Sequence, residues 1–150
     1  MRNDLFQKSR VLYSAPGRAR MATPKQDLTL REVMTRVAIT LLPDTPVCEA
    51  AQRMAISRTG CVMIVDEGGE LVGMFTERDL LNMFTTRLDP PLSEPVRDHM
   101  SFYPLTLEPD VSVEQARRFM QENLIRHVPV VDGGRLMGIV SMRDLHALLD

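Results

Sequence analysis

The feature that most constrains the fold of this chain is an internal repeat. Shifting the sequence by 66 residues places Met34 on Met100 and keeps many later residues in register. After one deletion the offset becomes 65, and the triplet Arg-Asp-Leu at 78–80 then falls on the same triplet at 143–145. Such a period is too long for one turn of a solenoid, so each copy must be a unit with several elements of its own.

The first half of each copy has the pattern of an amphipathic helix. In the first copy, apolar residues recur at helical spacing from Val47 to Met54. Thr45-Pro46 should begin this helix, because Thr caps free backbone N–H groups and Pro suits the first helical position. In the second copy, Ser112 and Gln115 have the spacing of a capping box.

Short runs rich in β-branched residues follow this helix in each copy. They occupy residues 61–65 and 127–131 and end in acidic residues and a Gly-Gly pair, which is typical of a strand before a hairpin turn. A further strand and a second helix complete each copy. The predicted class is therefore α/β (α+β), with two βαββα repeats.

A proline-rich stretch separates the two copies. Three prolines lie within residues 89–95, and proline cannot continue a helix, so we predict a linker there. Repeat 1 then spans residues 28–88, and repeat 2 spans residues 96–150. Residues 1–27 contain sparse apolar residues without a sustained period and predict a flexible basic arm, although docking of those residues on a partner subunit stays open.

The composition is that of a globular protein with a packed core, since 44% of the residues are hydrophobic and 25% are charged. No apolar run approaches the roughly 20 residues of a membrane helix, and the start of the chain lacks a signal peptide's apolar stretch. We therefore expect a cytoplasmic protein without membrane contact. Cys48 and Cys61 have neither metal-ligand nor disulfide spacing and should be reduced thiols.

The charge is unevenly distributed. Residues 1–31 carry seven basic and two acidic side chains, which is a net charge of +5. Since the whole chain has a net charge of −2, residues 32–150 together carry −7. A phosphate backbone is bound by clustered positive charge, so nucleic-acid binding by the main body is not expected. Only the N-terminal arm could bind nucleic acid.

No catalytic constellation is present in the sequence. His99, His127 and His146 fall in different predicted elements, and the chain has no HExxH, GxSxG or P-loop pattern. The Gly-Gly pairs at 68–69 and 133–134 connect strands and lack the Lys-Ser/Thr sequel of a phosphate-binding loop. We therefore expect neither an enzyme nor a metal or catalytic cofactor.

Two matching segments carry a resemblance to a known family. One begins Cys61-Val-Met-Ile-Val-Asp and continues with Gly73-Met-Phe-Thr-Glu-Arg-Asp, and the other begins His127-Val-Pro-Val-Val-Asp and continues with Gly138-Ile-Val-Ser-Met-Arg-Asp. At matching spacing and with the same upstream helix, they resemble the CBS (cystathionine-beta-synthase) domain family over residues 30–149. The chain is most similar to a stand-alone tandem pair of the bacterial type.

The resemblance implies both an architecture and a function. In similar proteins, the two copies within one chain pack with pseudo-twofold symmetry. Two such chains often associate into a flat disc that contains four copies. Clefts between the copies bind adenosyl compounds in many members, whereas some members bind nothing. The implied function is a regulatory, signal-transduction module that senses energy or cofactor state. AMP is the first choice of ligand, ATP, ADP and NAD are alternatives, and the regulated enzyme or transporter is unknown.

The Thr/Ser-x-x-Asp signature has two interpretations. Thr76 with Asp79, and Ser141 with Asp144, have the spacing of an N-cap hydroxyl and an acid at the third helical position, where the helix dipole favours negative charge. The resemblance implies instead that the aspartate accepts hydrogen bonds from the ribose hydroxyls, with the hydroxyl residue and the helix N–H groups near the phosphate. Both roles can coexist, as a cap without ligand and a clamp with it.

The basic residues differ between the two copies. The resemblance implies a cation before the middle strand, where the second copy has Arg126-His127 and the first has Gly60-Cys61. The second site should therefore bind phosphate better, while the first relies on Arg78 or a neighbouring residue. For Arg78 and its counterpart Arg143 the alternative is a solvated helix face, and for His127 it is a partly buried core position.

The adenine end of each site should be less polar. The resemblance implies that the base is read by backbone groups and apolar side chains of the other copy, although ordinary helix packing is the simpler explanation of the small residues. Threonines that open the first strands are further candidates. The residues concerned are Thr45, Ala50 and Val62 for the site that uses Asp144, Val111, Ala116 and Val128 for the site that uses Asp79, and Thr40 and Thr106 in the first strands.

Self-association is also expected, because a two-copy unit of this size has little core of its own. The last helix of each copy carries an apolar face, and we expect a homodimer through both. A ligand-free dimerisation scaffold would use the same fold and caps, so it remains the main alternative function. The apolar residues are Leu80, Leu81, Met83 and Phe84 in the first copy and Leu145, Leu148 and Leu149 in the second.

Overall fold

The computed structural model describes residues 28–36 and 39–149. It contains mixed helix and strand, which confirms the predicted class. The predicted N-terminal arm, residues 1–27, lies outside the described residues. In chain order the elements are α1 (Leu30–Val33), β1 (Thr40–Leu41), α2 (Val47–Ser57), β2 (Cys61–Val65), β3 (Leu71–Thr76), α3 (Glu77–Thr86), a 3₁₀ turn (Val96–Asp98), β4 (Ser101–Phe102), α4 (Val113–Glu122), β5 (His127–Asp132), β6 (Arg135–Ser141) and α5 (Met142–Leu149).

The chain forms two compact units that do not coincide with the two repeats. The first unit contains residues 39–104, and the second contains residues 28–36 together with 105–149. Residues 28–36, which open repeat 1, therefore belong to the unit of repeat 2. Residues 96–104, which open repeat 2, belong to the unit of repeat 1.

Backbone hydrogen bonds hold each opening segment in its unit. In the second unit, the N–H of Thr35 donates to the carbonyl of Ile139 at 2.9 Å, and the N–H of Ile139 donates back at 3.1 Å. In the first unit, β4 pairs antiparallel with β3, with Ser101 opposite Met74, which is the equivalent pairing. These bonds satisfy edge groups of each sheet with a segment that is distant in sequence.

Each unit contains a sheet built on a hairpin. The first has four strands in the order β1-β2-β3-β4, with β1 parallel to β2 and the other pairs antiparallel. The second has β5 and β6 antiparallel, and a parallel bridge from Leu107 to Val130 takes the place of β1. The predicted hairpin turns are confirmed, with Gly69, Gly133 and Gly134 at positive φ.

Each unit also has its own apolar core between its helices and its sheet. Val47, Ala50 and Met54 of α2 point into the first core, as the helical spacing predicts. Val113, Ala116 and Met120 of α4 occupy the equivalent positions in the second.

Two equivalent glycines let the opening segments approach. A Cβ atom at Gly138 would lie 2.5 Å from the backbone oxygen of Thr35, and one at Gly73 would overlap the side chain of Met100. Glycine is required at position 138, where the backbone oxygen cannot move aside, whereas at position 73 a side chain would displace that of Met100.

The predicted start of the first helix is wrong by one residue. Pro46 is the N-cap of α2, without a side-chain cap, and Thr45 does not cap it. Backbone carbonyls replace the missing side chain, because the N–H of Val47 donates to Glu94 at 2.9 Å and the N–H of Cys48 donates to Leu92 at 2.8 Å. The predicted capping box of Ser112 and Gln115 on α4 is confirmed.

Candidate functional site

In the first unit, four predicted site residues gather where β2 begins and α3 starts. Cys61 lies opposite Thr76 in the sheet, and the carbonyl of Gly60 accepts the N–H of Glu77 at 2.9 Å. Thr76 ends β3 and caps α3, so Arg78 and Asp79 fall in the first turn of that helix. The fold therefore brings together Cys61, Thr76, Arg78 and Asp79.

The second unit repeats this arrangement with different side chains. His127 lies opposite Ser141, and the carbonyl of Arg126 accepts the N–H of Met142 at 2.8 Å. Arg143 and Asp144 follow in the first turn of α5. All five predicted polar residues of this site thus lie around one helix start.

In the first unit, Thr76 and Asp79 form a complete capping box. The Asp79 N–H donates to Thr76 Oγ1 at 3.2 Å, and Asp79 Oδ2 accepts from the Thr76 N–H at 2.8 Å and from Thr76 Oγ1 at 3.0 Å. The capping interpretation of this motif is confirmed here. A ribose hydroxyl would have to share or displace these bonds to reach Asp79.

In the second unit, only half of the equivalent box is made. The Asp144 N–H donates to Ser141 Oγ at 3.2 Å. The exposed carboxylate of Asp144 makes no hydrogen bond or ion pair with any residue in the described part of the chain. This carboxylate can therefore accept hydrogen bonds from a ligand without breaking the cap.

Both units contain exposed arginines that make no ion pair within the described residues. Arg126 and Arg143 are exposed and have no ion-pair partner among residues 28–36 and 39–149. In the first unit Arg78 is likewise exposed and unpaired within the described ranges. His127 is half-buried, which agrees with the alternative interpretation of this residue as a partly buried core histidine.

Sequence reasoning missed one cation of the first unit. Arg58 follows α2 with a left-handed backbone, φ 51°, and is exposed two residues before Gly60. It makes no ion pair within the described residues. Its counterpart in the second unit is Leu124, φ 54°. A sequence signal for Arg58 was present, because α2 ends there without the glycine that usually takes a left-handed position after a helix.

The apolar residues predicted to contact adenine lie in the cores of their own units. Their side chains are completely buried and pack against neighbouring core residues, so the packing interpretation describes these side chains. Any contact with a base would have to come from backbone groups, which stays a prediction. The residues are Ala50 and Val62 in the first unit and Val111, Ala116 and Val128 in the second.

The three predicted threonines are placed differently from one another. Thr40 is exposed at the start of β1, whereas Thr106 is buried. Thr45 is half-buried, and its backbone groups are used locally, with its N–H donating to Leu42 at 3.0 Å and its carbonyl accepting from Val96 at 2.7 Å. Of the three, Thr40 has the most accessible hydroxyl.

Cys61 differs chemically from its counterpart His127. Burial raises the pKa of the Cys61 thiol to about 12, so the group stays a neutral thiol near neutral pH. Cys61 therefore supplies no charge to its site. The first unit therefore depends on arginines for any anion.

Within the described ranges, no group of three or more His, Cys, Asp or Glu side chains is placed to hold a metal ion. In the same part of the chain, no helix has the length and apolarity needed to cross a membrane.

Comparison with protein families identifies both halves of the chain. The model of the CBS domain matches residues 30–85 and again residues 96–150. The two matches correspond to the two repeats and together cover well over half of the sequence.

Relatives with similar sequences extend the match. The chain is 36% identical over 121 residues to an uncharacterized protein, MK0525, of Methanopyrus kandleri, and 33% identical over 117 residues to the CBS domain-containing protein YhcV of Bacillus subtilis. These alignments cover 80% and 78% of this chain. They span 62% of the first relative's length and 82% of the second's.

Solved structures share the fold, and two of them hold adenosyl ligands. The CBS domain pair of protein MJ0100, in complex with 5′-methylthioadenosine and S-adenosyl-L-methionine, is 26% identical with a TM-score of 0.74 and covers 81% of this chain and 95% of its own. CBSX2 in complex with AMP is 26% identical with a TM-score of 0.70 and has the same coverage.

Proposed function

The chain belongs to the CBS domain family, and on that premise we propose that it is a regulatory module that binds an adenosine nucleotide. The observation that carries the proposal is the half-made cap of α5. There a carboxylate without a partner, a hydroxyl and exposed arginines lie around one helix start.

The chemistry of this cluster suits a nucleoside with a phosphate. The Asp144 carboxylate can accept hydrogen bonds from both ribose hydroxyls. The Ser141 hydroxyl and the N–H groups of the first turn of α5 can donate to phosphate, where the helix dipole favours negative charge. Arg126 can add a charge-assisted hydrogen bond from the loop before β5.

AMP is the first choice among adenosyl ligands. MJ0100 binds 5′-methylthioadenosine, which has no phosphate, and S-adenosyl-L-methionine, which carries a sulfonium cation, whereas CBSX2 binds AMP. Arg126 before β5 and Arg143 in the first turn of α5 make no ion pair within the described residues, and two such cations favour an anion over a sulfonium cation. ADP, ATP and NAD share the ribose and phosphate groups and are the alternatives.

A second candidate is a scaffold that binds no ligand. The complete capping box of Thr76 and Asp79 favours it, because that helix start already has its hydrogen bonds satisfied. This observation concerns the first unit only. We therefore propose that the second unit provides the functional site, in a module that reports the concentration of a nucleotide to an enzyme or transporter.

Calorimetric titration of the wild-type chain with a matched ligand series tests the proposal. AMP should bind. 2′-Deoxy-AMP, which lacks one hydroxyl for Asp144, and adenosine, which lacks the phosphate, should each bind about tenfold more weakly or worse. A ligand present at about 100 times its Kd should stabilise the fold by about 2.7 kcal/mol in thermal unfolding. Absence of binding by AMP, ADP, ATP and NAD would favour the scaffold.

A further inference from the structure

One end of the first unit carries a surface that is both acidic and aromatic. The turn between β2 and β3 contains Asp66, Glu67 and Glu70, and both glutamates are exposed. Phe102 of β4 is 55% exposed, and Tyr103, the next residue, is 42% exposed. We refer to Glu67, Glu70, Phe102 and Tyr103 together as the tip surface.

The residues of the tip surface are neighbours in the sheet. The N–H of Tyr103 donates to the carbonyl of Val72 at 3.0 Å, which places Tyr103 beside the start of β3. Glu70 lies two residues before Val72, a distance of about 7 Å along an extended chain. The carbonyl of Glu70 in turn accepts the N–H of Asp66 at 2.9 Å and closes the turn. The carboxylates and the aromatic rings therefore occupy one continuous surface.

The glutamates of the tip surface have no partner in the described part of the chain. Neither Glu67 nor Glu70 makes a side-chain hydrogen bond or an ion pair there. Asp66 differs, because its Oδ1 accepts the N–H of Glu70 at 2.9 Å and is used in the turn. β4 is also the last strand of its sheet, and none of the described residues pairs with its outer edge. The surface is therefore available to a cationic segment.

The equivalent surface of the second unit has neither property. Its turn contains Asp132 and Arg135, whose charges cancel, and Arg36 occupies the position of Phe102. All three side chains are exposed. Because the two units share the hairpin and the opening segment beside it, the requirements of the fold do not explain the acids and the aromatic rings of the tip surface.

The distribution of charge shows where a cationic segment is available. Residues 39–104 carry ten acidic and five basic side chains, a net charge of −5, whereas the second unit carries seven of each and is neutral. Residues 1–27, which lie outside the described residues, carry six basic and two acidic side chains, a net charge of +4. The first unit, and not the second, thus has a charge opposite to that of the N-terminal arm.

We propose that the N-terminal arm, residues 1–27, binds the tip surface of the first unit of its own chain. The basic side chains of the arm form ion pairs with Glu67 and Glu70. Guanidinium groups of the arm also stack on the rings of Phe102 and Tyr103. Apolar residues that alternate with the basic ones contact the same rings, and they are Leu5, Phe6, Val11, Leu12 and Tyr13.

The covalent attachment of the arm makes this contact effective. Exposed ion pairs are individually weak, so two glutamates would hold a free peptide poorly. A tethered segment has an effective concentration on the order of millimolar, which compensates for weak contacts. Residues 14–27 can span about 46 Å, several times the radius of gyration of about 11 Å for a compact unit of this size. Chain length therefore permits the contact.

Limited digestion of the full chain with trypsin tests the proposal, because trypsin cuts after the basic residues of the arm. A synthetic peptide of residues 1–27 is the accessible reference. Cleavage after Arg10, Arg18 and Arg20 should be about tenfold slower in the wild-type chain than in the peptide, since cleavage follows the population of the released arm. Salt at about 0.5 M should remove most of this protection, because it screens exposed charges.

Two double variants with the same change in net charge locate the contact. Glu67→Gln/Glu70→Gln should bring the cleavage rate to within about threefold of the rate for the peptide. Glu122→Gln/Asp132→Asn changes two exposed acids of the second unit and should keep the wild-type protection. All four positions are exposed, so both variants should retain the wild-type melting curve, which is measured alongside.

Equal cleavage of the wild-type chain and the peptide overturns the proposal, as does full protection in a folded Glu67→Gln/Glu70→Gln chain. Equal loss of protection in both double variants also overturns it, because the arm would then respond to total charge and not to this surface. Protection that falls on dilution overturns a contact within one chain. If Glu67→Gln/Glu70→Gln does not fold, Phe102→Ser replaces it with the same expectation.

Discussion

Thr35 and Ile139 exchange both of their backbone hydrogen bonds, at 2.9 and 3.1 Å, although Thr35 lies in the opening segment of the first repeat and Ile139 lies in the last strand of the second. The unit that carries the candidate site is therefore incomplete without the opening segment of the chain's other repeat. Repeat 1, cut at the linker, lacks β4 of its own sheet, and repeat 2 lacks the segment of Thr35 that bridges to β6.

Thr35→Pro should destabilise the protein, because proline cannot donate to the Ile139 carbonyl. The expected loss is about 1–3 kcal/mol in the free energy of unfolding, the range for a lost hydrogen bond that leaves a buried group unsatisfied. Urea unfolding followed by circular dichroism measures it. Thr35→Ala is the control, since the Thr35 side chain is exposed and the backbone donor is kept. Equal stability of the two variants would contradict a stabilising role for the backbone hydrogen bonds between Thr35 and Ile139.

Gly138→Ala should cost more stability than Gly73→Ala. The new Cβ at position 138 meets a backbone oxygen at 2.5 Å, whereas at position 73 it meets the flexible side chain of Met100. Overpacking of this kind costs about 1–3 kcal/mol. Thermal unfolding of both variants gives the order. The double variant Gly73→Ala/Met100→Ala should relieve the overlap at position 73, and no rescue there would show that the strain has another source.

Asp144→Asn should weaken AMP binding by about ten- to a hundredfold, the range for hydrogen bonds that involve a charged group. The substitution retains the size of the side chain and keeps the N–H that donates to Ser141, so the cap survives. Calorimetric titration measures the affinity, and a melting curve verifies folding.

Asp79→Asn is the matched control at the equivalent position. It breaks a complete capping box and should lower stability, by about 0.5–1 kcal/mol, while leaving the second unit's affinity unchanged. Unchanged AMP affinity in a folded Asp144→Asn protein would show that Asp144 does not contribute to AMP binding.

Cys61 should make stability depend on alkaline pH. Burial raises its pKa in the folded state from 9.0 to about 12, so the unfolded chain loses the thiol proton first as the pH rises. The contribution of the neutral thiol is fully present below pH 9 and is lost as the pH rises towards about 12. Denaturant unfolding at pH 8 to 11 should show a steeper decline for the wild type than for Cys61→Val. Parallel curves would contradict the raised pKa.

The sequence alone determined the repeat, the element types and much of the local chemistry. Helical spacing from Val47 to Met54, the capping box of Ser112 and Gln115, and the glycine turns between strands are local properties, because they depend on residues within one or two turns of chain. The grouping of the candidate polar residues around each helix start was also predictable, since the strand register and the helix start follow from short motifs, while their part in binding stays a prediction.

Tertiary structure decided what depends on distant backbone. The exchange of opening segments rests on main-chain hydrogen bonds, which are the same for every residue type except proline and leave little trace in the sequence. The carbonyls of Leu92 and Glu94 replaced the expected cap at Thr45 for the same reason. Equivalent Thr/Ser-x-x-Asp motifs also reached different states, a complete box at Asp79 and a half-made one at Asp144. Both final helices look apolar in sequence, yet packing buries Leu145 and leaves Leu81 in solvent, because burial is set by which face meets the core.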